Sequence, residues 1–308
     1  MAQIDYNLRP AKHIERVMLS QTLRRLGPFG AVESYRYIGF GALYYRDFRL
    51  FHRDLGITDM LSLEMDTNRQ DRYKFNEPFS CVQTEFGHST ELLPTLVWDV
   101  RTILWLDYTG KLDRDMLADV GFFTSNCVPG SVLIVTVNVK ADRLSDGPLQ
   151  KLTERVGIEN VPEDSADNTL TGWSLSVASR RILNNKVQEI LTARNGPRAA
   201  GARMRFRQLF NFEYADQAKM LTFGGLFFEK GQAAIAASCS FESLPFIREG
   251  AEPYRIKVPK LTYKEIHYLQ SQFPGNGSPI ERNGVPVEDV ERFREVYRYF
   301  PVFTPTEI

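Results

Sequence analysis

The chain has 308 residues, of which 43% are hydrophobic and 25% are charged, the proportions of a folded globular protein. Its 38 Lys and Arg residues balance 38 Asp and Glu residues, so no net charge draws the whole molecule to nucleic acid or to an anionic membrane. Three widely spaced cysteines without a C-x-x-C pair argue against a disulfide framework and a thiolate zinc site, and no apolar run reaches the ~20 residues that span a bilayer, so we expect a cytoplasmic protein.

The first half of the chain alternates amphipathic stretches with short apolar runs. A basic helix is predicted over residues 9–26, where Gly27-Pro28 ends it. Strands are predicted at residues 34–40, 59–63, 80–85, 102–106 and 131–138, with helices at residues 45–55 and 113–123. The last strand is a nearly continuous β-branched run, which is typical of a strand covered by helices on both faces. The alternation predicts a parallel, doubly wound sheet.

The second half of the chain predicts a hairpin and an extension. A helix is predicted at residues 175–193, followed by two aromatic-rich strands, 204–214 and 219–229, that form an antiparallel hairpin. Helices at 263–272 and 287–300 belong to the extension. The predicted fold is therefore α/β, a doubly wound, mostly parallel seven-stranded sheet with a terminal antiparallel hairpin, the strand inventory of class I methyltransferases.

The sequence further predicts three regions along the chain. Residues 1–30 form an N-terminal basic helix, and residues 31–240 form the α/β domain, with a helical insertion at about 140–200. Residues 241–308 form a C-terminal extension packed on the same domain.

A ligand site is predicted at the carboxyl ends of four strands, where open α/β sheets bind their ligands. Gly39 and Gly41 follow the first strand and let the backbone approach a cofactor, and Glu64 ends the second strand, where a carboxylate accepts hydrogen bonds from ribose hydroxyls. The predicted cofactor-binding residues are Tyr37, Gly39, Gly41, Glu64, Gly87, His88 and Asp107. In the alternative interpretation the glycines only make a tight turn and Glu64 is a surface acid.

Asp107 and Tyr108 are the predicted catalytic residues, because the chain leaves the sheet there on the acceptor side of the site. Asp107 either caps the helix that begins near Asp113 or deprotonates an acceptor, and we favour the second role. No two of the four histidines stand at metal-ligand spacing, so no catalytic zinc is expected. His88 either contacts the cofactor or makes a structural hydrogen bond.

Two groups of basic residues lack matching acids. Alternation places three arginines of the second group on one face of a strand, and together the groups would form a phosphate-binding surface if they converged. The alternative is a solvated face, which the neutral net charge favours. The candidate nucleic-acid residues are Arg9, Lys12, Arg16, Arg203, Arg205 and Arg207.

The chain resembles the family of bacterial putative O-methyltransferases, whose genes often lie near defence-associated genes. The resemblance spans nearly the whole chain and rests on the following motifs: Arg9-Pro-Ala-Lys-His-Ile-Glu-Arg, Tyr37-Ile-Gly-Phe-Gly-Ala-Leu-Tyr-Tyr-Arg-Asp-Phe, Leu63-Glu64, Trp105-Leu106-Asp107-Tyr108 and Tyr297-Arg-Tyr-Phe-Pro. It implies a Rossmann-like methyltransferase fold with S-adenosylmethionine as cofactor. It leaves the methyl acceptor open.

Two functions are compatible with these motifs. The first is an S-adenosylmethionine-dependent methyltransferase acting on an oxygen or nitrogen nucleophile. The second is a non-catalytic or ligand-sensing subunit of a bacterial, anti-phage assembly, with partner proteins or a second copy of the chain. Leu43 stands where a third glycine is usual, which keeps the second alternative open. The motif Asp107-Tyr108-Thr109-Gly110 lacks the paired prolines of enzymes that methylate base amines, which argues against a DNA-modifying enzyme.

Overall fold

A computed structural model describes residues 9–275 and 279–301. The described residues form one eight-stranded sheet in the order β3-β2-β1-β4-β5-β7-β6-β8. The strands from β1 to β5 are parallel, β7 is antiparallel to β5 and β6, and β8 is parallel to β6. The strands are β1 Arg36–Gly39, β2 Asp59–Glu64, β3 Val82–Phe86, β4 Thr102–Asp107, β5 Val132–Asn138, β6 Met204–Ala215, β7 Lys219–Glu229 and β8 Tyr254–Ile256.

Helices cover both faces of this sheet and bury two apolar clusters. One cluster joins α1, α2 and the C-terminal elements to one face, and the other joins α5 and α7 to the opposite face. The helices are α1 Pro10–Leu23, α2 Arg46–Leu55, α3 Gln70–Phe75, α4 Ser89–Leu92, α5 Arg114–Asn126, α6 Pro148–Val156, α7 Ser174–Asn195, α8 Ala233–Ser238, α9 Tyr263–Gln270 and α10 Val287–Val296. Within residues 9–275 and 279–301, no helix has the length and apolar character needed to cross a membrane.

The predicted fold class is confirmed, with one additional strand. The eighth strand, β8, lies in the predicted extension and pairs with Phe212, Glu213 and Tyr214 of β6. Three residues are too few to show the alternation that identifies a strand in a sequence. The division into three regions stays a prediction, and its residues 1–8 and 302–308 lie outside the described part of the chain.

The strand order creates the position of the site. β1 lies between β2 and β4, so the connections leaving β1 and β4 run to opposite sides and open a crevice at their carboxyl ends. The turn of the β6–β7 hairpin lies at the same edge of the sheet, because β6 is antiparallel to β7, which is in turn antiparallel to β5. The N-terminus of α1 is attached to that turn, since the Ala11 and Lys12 backbone N–H groups donate to the Asp216 carboxylate at 3.0 Å each. Helix α1 thus forms one wall of the crevice.

Candidate functional site

A cavity of about 440 Å³ occupies the crevice at the carboxyl ends of β1, β2 and β4. Of the predicted cofactor-binding and catalytic residues, the structure brings six to its lining: Gly41, Glu64, Gly87, His88, Asp107 and Tyr108. Helix α1 contributes Arg9 and Arg16, and the first turn of α2 contributes Arg46 and Asp47.

The turn after β1 is fastened to the end of β2. The Gly41 N–H donates to Ser62 Oγ at 2.9 Å, and the Ala42 N–H donates to Glu64 Oε1 at 2.7 Å. A Cβ atom on Gly41 would lie 2.4 Å from the Tyr45 ring, so this close approach requires glycine. Tyr45 itself has φ +47° and begins α2. The predicted glycine turn is therefore a rigid connection that exposes backbone to the cavity.

Tyr37 and Gly39 do not line the cavity, in contrast to the sequence prediction. Side chains alternate along β1, and the Tyr37 ring is completely buried among Phe48 and Phe51 of α2. The Tyr37 hydroxyl donates to the Asp47 carboxylate, and burial raises the pKa of Tyr37 well above its ordinary value. A Cβ atom on Gly39 would lie 2.6 Å from that same hydroxyl. Tyr37 thus holds the first turn of α2 through Asp47, and Gly39 leaves room for the Tyr37 hydroxyl.

Glu64 is oriented before any ligand binds. Its Oε1 atom accepts from the Ala42 N–H and from Ser62 Oγ at 2.9 Å, while Oε2 makes no hydrogen bond within the described residues. The side chain is only 7% exposed, and burial raises the pKa of its carboxyl group. One oxygen is thus fixed by the protein, and the carboxylate lines the cavity with its second oxygen available to a hydroxyl donor.

Asp107 is held by a buried charge network that the sequence did not reveal. The Lys12 ammonium lies 2.6 Å from Asp107 Oδ1 and 2.8 Å from Glu15 Oε2, and it faces the Trp105 ring at 4.6 Å. Burial raises the pKa of Glu15, which also accepts from Thr222. The helix-capping alternative for Asp107 is wrong, because Asp113 is the residue that accepts from the Met116 N–H at the start of α5.

The Tyr108 hydroxyl is engaged by a buried carboxylate of α5. It donates to Asp119 Oδ2 at 2.6 Å, and Ser89 Oγ donates to the same oxygen at 2.5 Å. Burial raises the pKa of Tyr108 well above its ordinary value and also raises the pKa of Asp119. Tyr108 therefore cannot readily lose its proton in the cavity, and its geometry fits a positioning role for α5 better than the predicted catalytic one.

His88 lies at the edge of the cavity beside α4. Its Nδ1 atom is 2.7 Å from Thr90 Oγ1, which is the structural hydrogen bond of the alternative interpretation. The preceding Gly87 donates its N–H to the Glu64 carbonyl at 3.0 Å, so the loops after β2 and β3 are joined. Their contacts with a cofactor stay a prediction.

Sequence reasoning missed Asp47, Arg46 and Asp119, which also line the cavity. Asp47 is 6% exposed, and its pKa is raised by burial and lowered in part by the Arg16 guanidinium. Arg46 and Asp47 belong to the motif beginning at Tyr37 that carries the family resemblance, and their local signal was their place in the first helical turn after the glycine turn. Among the described residues, no group of three His, Cys, Asp or Glu side chains is arranged to hold a metal ion.

The candidate nucleic-acid residues of the two basic groups lie at different edges of the sheet, so the condition for a joint phosphate-binding surface is not met by them. Lys12 is 1% exposed and ion-paired at the carboxyl edge, whereas Arg205 and Arg207 begin β6 at the opposite edge. From Arg205 to Tyr214, which Lys12 contacts, β6 runs roughly 30 Å at about 3.3 Å per residue. Arg207 also pairs with Glu249 at 2.6 Å. Arg9, Lys12 and Arg16 therefore do not form one phosphate-binding surface with Arg205 and Arg207.

The strand order and the cavity at its reversal define the class of protein, a class I methyltransferase. The family model described as Putative O-methyltransferase matches residues 4–308, and the chain belongs to this family. The predicted fold class and family are thereby confirmed. Methyltransferases of this class take their methyl group from S-adenosylmethionine, so the family also agrees with the predicted cofactor while leaving the acceptor open.

Solved structures with detectable similarity are distant. Cofactor-bound Rv0187 from MTB is 14% identical over 67% of this chain and 78% of its own, with a TM-score of 0.37. An O-methyltransferase family protein from Burkholderia thailandensis is 12% identical over 68% and 55%, with a TM-score of 0.35. CalS10, an amino pentose methyltransferase from Micromonospora echinaspora, is 17% identical over 40% and 49%, with a TM-score of 0.31. The chain thus spans about half the length of CalS10. No curated protein matches the sequence.

Proposed function

We propose that this protein transfers the methyl group of S-adenosylmethionine to a hydroxyl oxygen, with the cofactor held in the cavity beside β1, β2 and β4. The observation that carries the proposal is Glu64, a buried carboxylate at the end of β2. The Ala42 N–H and the Ser62 hydroxyl fix one of its oxygens, and the other is available to a ribose hydroxyl. The residues present therefore fit a nucleoside-containing cofactor.

The chain's own residues have to orient the acceptor and take up its proton. When bound, S-adenosylmethionine supplies an electrophilic methyl group, whose transfer breaks one carbon–sulfur bond and forms one carbon–oxygen bond. Alignment of the reacting atoms provides most of the rate in such a displacement. Asp107 lines the cavity with its Oδ1 held by Lys12, and we infer that its second oxygen accepts the proton of an acceptor hydroxyl.

A ligand-sensing protein without turnover is the second candidate. It is favoured by the Lys12 ammonium, because the ion pair at 2.6 Å occupies one oxygen of Asp107 and leaves the other as the single oxygen for an acceptor hydroxyl. In this alternative the protein binds S-adenosylmethionine in the same cavity and acts within a bacterial, anti-phage assembly in the cytoplasm. Partner proteins or a second copy of the chain would bind selectively to the form of the protein that holds S-adenosylmethionine.

An isosteric change at Asp107 distinguishes the two candidates. Asp107→Asn keeps an oxygen for Lys12 but removes the base, so we expect unchanged affinity for S-adenosylmethionine and a loss of methyl transfer of about 100-fold or more. The measurement is transfer of the labelled methyl group to a panel of phenols, catechols and hydroxy acids. A variant that transfers methyl groups at the wild-type rate contradicts the role of Asp107. Cofactor binding by the wild type without transfer to any panel member favours the sensor.

A further inference from the structure

Arg16 stands apart from the other charged residues of α1. It lines the cavity, yet it makes no hydrogen bond and no ion pair with any residue that the structure describes. Its Nε atom is fully buried and has no hydrogen-bond partner. Lys12, one helical turn earlier, is by contrast paired with two carboxylates. Arg16 therefore brings a positive charge with an unsatisfied, buried Nε–H group to the wall of the site.

The side chain of Arg16 is half-buried, so the cost falls on its buried Nε–H group. A buried donor without a partner loses its hydrogen bond to water without replacement, and a ligand that accepts from it removes this cost. One acid close enough to interact electrostatically is Asp47, whose pKa is lowered in part by the Arg16 charge but whose carboxylate takes its hydrogen bond from Tyr37. The acids within residues 9–275 and 279–301 thus form no ion pair with Arg16.

The rest of the cavity lining limits what the missing partner can be. The described lining holds three arginines, Arg9, Arg16 and Arg46, against six acids: Asp47, Glu64, Asp107, Asp113, Asp115 and Asp119. A doubly charged phosphate entering among these side chains would be repelled, whereas one singly charged carboxylate matches the planar fork of one guanidinium. The surrounding acids also suit a ligand that carries a positive charge near that carboxylate.

We propose that Arg16 binds a carboxylate inside the cavity, supplied either by the amino-acid part of the cofactor or by the acceptor. The assignment rests on the proposed function, because it places both molecules in this cavity. With this role for Arg16, helix α1 contributes a ligand-binding residue in addition to forming one wall of the crevice. Arg16, predicted from the sequence as a candidate nucleic-acid residue, would then recognise a small anion.

Calorimetric titrations with two nucleosides test whether the carboxylate bound by Arg16 comes from the amino-acid part of the cofactor. S-adenosylhomocysteine carries the α-carboxylate of the cofactor, and 5′-methylthioadenosine lacks the amino-acid part. If the cofactor supplies the carboxylate, Arg16→Gln weakens S-adenosylhomocysteine binding by about tenfold or more and leaves 5′-methylthioadenosine binding unchanged. Arg16→Lys keeps the charge without the fork and should be intermediate. Arg24→Gln is the matched control, since this exposed arginine of the same N-terminal segment only donates to the Asp54 carbonyl.

Titration with salicylate, which combines a hydroxyl with a carboxylate, tests whether the acceptor supplies the carboxylate bound by Arg16. The titration is done with the free protein and with the protein saturated with S-adenosylhomocysteine. If the acceptor supplies the carboxylate, Arg16→Gln weakens salicylate binding and leaves both nucleosides unaffected. Equal affinities of wild type and Arg16→Gln for S-adenosylhomocysteine and salicylate overturn the proposal. A wild type that binds neither nucleoside refutes the proposed function instead, and the salicylate comparison then still decides the role of Arg16.

Discussion

Asp119 has a buried carboxylate with hydrogen-bond donors to only one of its two oxygen atoms, as far as the described residues show. Its Oδ2 accepts from Ser89 and Tyr108, while Oδ1 is buried without a hydrogen-bond partner. An uncompensated buried charge opposes folding, which is why burial raises the pKa of this carboxyl group above 3.8. Functional sites commonly hold such groups, because the missing partner arrives with the ligand.

The pH dependence of stability should report this raised pKa. The folded state of an acid with a raised pKa binds protons more tightly than the unfolded state, so its stability decreases as the pH rises from below 3.8 through the folded pKa. We expect the free energy of unfolding of the wild type to fall relative to that of Asp119→Asn over this range. Urea denaturation at a series of pH values measures the difference. A difference that is independent of pH, or that grows in favour of the wild type, contradicts this assignment.

Helix α1 is the element that couples the hairpin to the cavity. Its N-terminal N–H groups are capped by Asp216, a residue about 200 positions away that lies in the β6–β7 turn. The local N-cap residue, Arg9, provides no side-chain cap. The same helix places Arg9 and Arg16 in the cavity and Lys12 on Asp107. The position of the turn therefore determines the position of three charged groups in the site.

Removal of this cap should affect both stability and ligand binding. Asp216→Ala leaves two N–H groups without an acceptor, so we expect a loss of about 1–2 kcal/mol in the free energy of unfolding. We also expect weaker binding of S-adenosylmethionine, because the α1 side chains lose their fixed positions. Thr262→Ala is the control, since it removes the cap of α9, an element that does not line the cavity. Equal effects of the two variants on cofactor affinity would show that α1 does not shape the site.

The strength of each local pattern decided which elements the sequence predicted. The apolar run of β5 and the aromatic hairpin strands β6 and β7 are long enough for their periodicity to be read, and their bounds agree closely with the structure. Helices α3, α4 and α8 have six residues or fewer, so they span at most about two turns and carry little amphipathic signal. Strand β8 forms only because β6 offers it a free edge, which is a tertiary effect.

The candidate site was predictable to the extent that it depends on strand ends. Glu64 and Asp107 each follow a buried strand, and parallel strands bring such residues to one edge of the sheet. The direction of each side chain was not predictable. Tyr37 alternates to the far face of β1, and Lys12 meets Asp107 across 95 positions of sequence. Pairs of residues this far apart in the sequence cannot be recognised from local composition.

At the scale of the whole molecule, the charges are divided between the two edges of one sheet. The carboxyl edge holds the cavity with its six acids and the arginines of α1 and α2, and the opposite edge holds the arginines that begin β6. The C-terminal elements join the same apolar cluster as α1 and α2, and β8 extends the sheet beyond β6. Among the described residues, the arrangement thus forms a charged cavity at the carboxyl edge that is suited to a small ligand.

The most direct test of the account is a calorimetric titration of S-adenosylmethionine into the wild type and into Glu64→Gln. The glutamine keeps an oxygen for Ala42 and Ser62 but turns a donor toward the ribose hydroxyls. Glu85→Gln, on the exposed face of β3, is the control. We predict binding of one molecule per chain, a loss of about tenfold or more in Glu64→Gln, and no change in Glu85→Gln. A wild type that does not bind, or a Glu64→Gln variant that binds equally well, would contradict the account.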